Sequence, residues 1–119
     1  MSQSLHIACI YESAMRGFQR NPASEHLMSK MNSTIKQIVR EWSSQGAEER
    51  NATFVPILEE LKKRFPDEKS RGDLEVLLPG VGMGRLLFEV VRLGFGVMGI
   101  ENSIFMITTS AFMLNCVQE

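Results

Sequence analysis

The chain has little of what marks a secreted, metal-binding or nucleic-acid-binding protein. Only two of its 119 residues are cysteine, Cys9 and Cys116, near opposite ends. They are too few for a disulfide framework and show no Cys/His metal spacing, which makes a reducing compartment the default. The two histidines, His6 and His26, have no acidic or cysteine partner at helical spacing. Both read as solvated or packing residues, and no metal site is expected. Thirteen basic and 14 acidic side chains leave a net charge of -1, with nothing basic clustered. That balance gives no field to draw the chain to nucleic acid or an anionic membrane, so neither is expected as a partner. No stretch approaches the roughly 20 apolar residues of a membrane span, and the N-terminus has no charged segment leading into an apolar one. The expectation is a soluble intracellular protein of the cytosol, with the nucleus as a second location.

What is present is 44% apolar residues, enough for a core in one small domain. In residues 1–32, "LHIACIYESAM" reads as a short amphipathic helix and "NPAS" as a turn through Asn21 and Pro22. Thr34 followed by Gln37 resembles a capping box, and Ile35, Ile38, Val39 and Trp42 recur at helical spacing behind it. "SSQG" ends that helix, with Gly46 as a left-handed cap. Phe54, Ile57, Leu58, Leu61 and Phe65 form the apolar face of a second helix, which Pro56 is expected to kink or restart. Pro66 and "DEKSRGD" then read as a polar loop. Residues 33–72 form a helical cap, and 73–119 a different kind of unit.

That unit opens with "LEVLL", residues 74–78, which suits a strand buried on both faces of a parallel sheet. Leu86, Leu87, Val90 and Val91 follow at helical spacing, closed by Gly94. "FGVMGI" is a second strand ending on Glu101, and Asn102 or Ser103 can cap a last helix to about Asn115. Helices followed by β-α-β-α are the start of a doubly wound, Rossmann-like α/β fold. Its sheet is incomplete, because such sheets have about five to seven strands.

Between the first strand and its helix lies "PGVGMGR". A strand ending in a glycine turn that feeds a helix offers backbone amides and the positive end of a helix dipole to a ligand. The dinucleotide pattern G-x-G-x-x-G/A would put Arg85 in its last, small position. G-x-G-x-G instead sets Gly80, Gly82 and Gly84 in register, the spacing typical of S-adenosylmethionine sites. Glu101, at the carboxyl end of the next strand, can accept hydrogen bonds from ribose hydroxyls. A nicotinamide or flavin enzyme, or a glycine turn with no ligand at all, stays open. Gln37 and Arg40 share a helix face beside the apolar stripe, where a solvated face is the ordinary explanation.

Several stretches together resemble the carnosine N-methyltransferase family, also called N2227-like proteins. They are "STIKQIVREWSSQGAEERNATFVPILEELKKRFP", "VLLPGVGMGRLLFEVVRLGFGVMGIENSIFMITTSAFMLN" and, more faintly, "NPAS". The resemblance implies an S-adenosylmethionine-dependent enzyme that methylates an imidazole nitrogen of carnosine to give anserine. It also implies that Gln37 and Arg40 reach the cofactor's amino-acid end, that Gly80 belongs to the glycine motif, and that Glu101 holds the ribose. The family's substrate-binding residues come from later in the domain. The resulting expectation is a shortened form with part of a cofactor site, little or no activity of its own, and histidyl peptides met only through the full-length enzyme. The other expectation is a non-enzymatic fragment that pairs through its last helix with a full-length subunit or another protein, a homodimer being one such pairing.

Overall fold

The computed structural model describes residues 24–116. The expected helix in "LHIACIYESAM" and the turn at Asn21 and Pro22 lie outside them. The described elements are helix α1 (Glu25–Trp42), helix α2 (Ala47–Arg64), a 3-10 helix (Glu68–Asp73), strand β1 (Glu75–Pro79), helix α3 (Arg85–Arg92), strand β2 (Gly96–Ile100) and helix α4 (Ile104–Asn115). β1 and β2 pair in parallel, from Glu75 opposite Gly96 to Pro79 opposite Ile100, with α3 as the crossover. The described segment is therefore α/β with a two-stranded parallel sheet.

α1 begins earlier than the Thr34 capping pattern suggests. Ser24 is the cap, its hydroxyl accepting from Leu27 N at 3.3 Å. Thr34 lies mid-helix, where its Oγ1 donates to the Lys30 carbonyl at 2.8 Å. A Thr with a Gln three residues on reads as a cap only if the backbone ahead is non-helical, and here it is helical.

Gly46 also departs from expectation. Its φ of -84° and ψ of 0° are right-handed, so it is no left-handed cap. Glycine is needed there for space, since a Cβ would lie 2.6 Å from the Arg40 carbonyl carbon and 2.7 Å from Arg40 Cα. Arg50 completes the corner by donating from Nη1 to the carbonyls of Arg40 and Ser43, each at 3.1 Å. These are two of the acceptors that a helix C-terminus leaves free.

α2 runs unbroken through Pro56. Ala52, whose carbonyl loses its donor to that proline, and Pro56 itself are both exposed, so water can serve the carbonyl. "DEKSRGD" is likewise more than a loop. Its 3-10 turn buries Arg71, whose Nε donates to Phe65 O at 2.9 Å and Nη1 to Leu93 O at 3.2 Å. The guanidinium lies 5.6 Å from the Phe95 ring centroid, and Phe65 meets Phe95 edge-on at 5.8 Å. One cation thus fastens the end of α2 to the entrance of β2.

β1 is not buried on both faces within the described residues. Val76 and Leu78 are half-buried on the side of α3, where Gly99 lets Leu87 approach closely. On the other face Leu77, Met98 and Ile100 stay about half exposed. Among the described residues the fully packed apolar centre is small: Met83, Val90 and Phe95. No helix among the described residues is long and apolar enough to cross a membrane.

Arg71→Ala strands two carbonyls that a charged donor satisfies. Urea denaturation of the full chain should show a loss of about 2–3 kcal/mol; a change below about 0.5 kcal/mol would show that these bonds are replaced by water.

Candidate functional site

The turn between β1 and α3 is built on positive φ angles at Gly80 (64°), Gly82 (58°) and Gly84 (79°), a region that side chains with a Cβ rarely adopt. At Gly82 a second constraint applies. A Cβ there would lie 2.9 Å from Glu41 Oε1. Above Gly80, by contrast, a Cβ would meet no protein atom within 4 Å, so this side of the turn is open to approach.

Two carboxylates hold the turn. Glu101 comes from the residue after β2, and its Oε2 accepts from Gly82 N at 3.0 Å while Oε1 accepts from the amides of Asn102 and Ser103, each at 2.9 Å. A carboxylate has about four acceptor positions, and these bonds leave one of them, on Oε2, for a further donor. The Ser103 amide is the largest influence holding the Glu101 pKa below its ordinary value of 4.5; partial desolvation opposes it, and the Gly82 and Asn102 amides add to the lowering.

Glu41 is the second carboxylate, and it comes from the last turn of α1. It is 6% exposed, so nearly all of it is out of water. Oε1 accepts from Gln37 Nε2 at 2.6 Å and from Met83 N at 3.4 Å, and Oε2 accepts from Arg85 N at 3.3 Å. The two backbone bonds are long, but the acceptor is charged and sits at the positive end of α3. Gly84, the cap residue of α3, has no side chain to serve those amides. An acid from another helix does so. Beside it Trp42 Nε1 donates to Met83 O at 3.2 Å, and the Trp42 ring packs on Phe88 at 5.7 Å and under the Arg85 guanidinium at 5.0 Å. Trp42 is packing, as its periodicity suggests.

The structure thus brings Gln37, Gly82 and Glu101 around one turn, with Gly80 and Gly84 shaping it. Arg40 stands further out. Its Nε pairs with Glu49 of α2 at 3.0 Å, both side chains half exposed or more. Gln37, Arg40 and Glu41 share a cleft of about 110 Å³ between α1 and α2, too small for a whole cofactor. A second cleft, of about 260 Å³, opens between α1 and α4 beside Ser103, whose amide binds Glu101. Glu41 escaped the sequence reading. Its local signal is only an acid four residues after Gln37 on the same helix face; what buries it is a pair of amides far along the chain.

A family model described as Carnosine N-methyltransferase matches residues 18–119. This chain belongs to the carnosine N-methyltransferase family. A Carnosine N-methyltransferase from Schizosaccharomyces pombe is 48% identical over 94 residues, covering 78% of this chain and 25% of that protein. One from Mus musculus is 46% identical over 95 residues, 79% of this chain and 24% of that protein. One from Dictyostelium discoideum is 42% identical over 95 residues, 78% of this chain and 20% of that protein. The chain therefore spans a fifth to a quarter of the length of these family members.

The Glu101 network has a pH signature. A carboxyl group with a lowered folded pKa contributes stability that is complete above its unfolded value and is lost as pH falls through the folded one. Glu101→Gln should therefore be less stable than the parent chain at neutral pH, with the gap closing as pH falls through and below 4.5. Urea midpoints from pH 7 to pH 3 measure this; a gap that stays constant with pH would contradict it.

Proposed function

We propose that this chain carries part of the cofactor site of an S-adenosylmethionine-dependent N-methyltransferase with a Rossmann-like core. The observation that carries the reading is the Gly82–Glu101 bond, which makes the glycine turn and the strand-end carboxylate one unit. In this reading the free acceptor position of Glu101 takes a ribose hydroxyl, and the open side of Gly80 admits the ligand. Gln37 and Arg40 serve the amino-acid end, the arginine meeting a carboxylate there once it exchanges Glu49 for it. Arg85 in place of the last small residue of a dinucleotide turn weighs against a nicotinamide cofactor.

The bound cofactor supplies an electrophilic methyl group. The family's name supports carnosine as the acceptor, with transfer to a neutral imidazole nitrogen that gives anserine; a ring proton is lost to a nearby base. Such a reaction depends mainly on alignment. The described residues contribute by holding the cofactor rigidly, through carboxylates themselves fixed by backbone amides. A homodimer, or pairing with a longer subunit through α4, is the second reading. It is favoured by the half-exposed Ile104, Ile107 and Phe112 on that helix.

Calorimetry with S-adenosylhomocysteine tests the cofactor reading: the full chain should bind it, and Glu101→Ala should weaken binding about tenfold or more, in line with loss of a charged hydrogen-bond acceptor. Binding of NAD in preference would overturn it. Methylation of carnosine by the full-length protein, read as anserine by mass spectrometry, tests the substrate.

A further inference from the structure

The amides of Gly82, Met83 and Arg85 are the donors that a nucleotide phosphate would take at a turn of this kind. All three already donate to carboxylates, Gly82 to Glu101 and the other two to Glu41. Glu101 sits where a ribose-binding acid of either cofactor class would sit, so it does not separate them. Glu41 does. It comes from 42 residues before Met83 in the chain, is 6% exposed, and is braced by Gln37 at 2.6 Å.

We propose that Glu41 is a specificity-determining residue: a built-in anion at the N-terminus of α3 that makes the turn reject phosphate-bearing nucleotides and accept an adenosine whose 5′ substituent is neutral or cationic. The proposal rests on the cofactor reading above and deepens it. A phosphate at this turn would have to displace Glu41 from its amides or lie beside it, and like charges in a site shielded from water repel strongly. A thioether or sulfonium meets no such penalty, and a sulfonium gains from the carboxylate. Among the described residues no lysine or arginine lies within ion-pair distance of Glu41. Gly82 fits the same picture, because a side chain there would push the carboxylate off the turn.

The test is a ladder of adenosine, AMP and ADP competing with bound S-adenosylhomocysteine on the full chain, followed by calorimetry. In the parent chain each added phosphate should weaken binding at least fivefold. Glu41→Gln keeps the size and one acceptor oxygen but removes the charge, and it should flatten or reverse the ladder, each affinity being taken relative to adenosine in the same variant. Should that variant fail to fold, Glu41→Asp withdraws the charge by one methylene and should give a shallower ladder. A parent chain that binds ADP as well as adenosine overturns the proposal, as does a folded variant with an unchanged ladder. If the parent chain binds no S-adenosylhomocysteine, the cofactor reading falls and takes this proposal with it; binding with an unchanged ladder sinks this proposal alone.

Discussion

The arrangement depends on a carboxylate removed from water. Glu41 can be buried only because amide donors surround it, and those donors exist only because the Gly80–Gly84 turn leaves the amides of Met83 and Arg85 without partners of their own. Each side satisfies the other's unmet requirement. The helical hairpin and the β-α-β unit are joined at this point by polar groups that would be costly to separate. Trp42 and Phe88 surround the contact with aromatic surface, and Arg85 lies over both rings.

The second fastening is cationic and lies at the far end of α2. Arg71 ties Phe65 to Leu93 through their carbonyls, with its flat face on Phe95. Between these two points α2 needs little packing of its own, and it has none that is fully buried. Polar anchoring of this sort suits a segment with a small apolar centre, since few side chains are available to hold elements in place by burial alone.

The β-α-β-α order and the glycine turn were legible in the sequence because they rest on local rules. Alternation of apolar runs with glycine punctuation gave β1, α3, β2 and α4 nearly to the residue, and Gly94 closes α3 with a positive φ of 95° as a helix end of that kind requires. Local rules failed where a residue's environment is set from a distance. Thr34 looks like a cap in sequence and is not one, because Ser24 has already started the helix. Gly46 looks like a left-handed cap, whereas it answers to the backbone of Arg40. Gln37 is visible on one helix face, but its partner Glu41 carries no local sign of its role, since the amides it serves lie more than forty residues later.

Gly46 has a mechanical consequence. With the Arg40 backbone pressed against it and Arg50 bonded across the corner, α1 has no hinge of its own relative to α2. Where α1 itself moves off the amides of Met83 and Arg85, the hairpin would lift as one body and release Trp42 with it. Exchange of those two amide protons with solvent would therefore report a concerted opening rather than the fraying of a single helix end. Any ligand that grips Gln37 and the glycine turn together would slow the exchange of both amides at once.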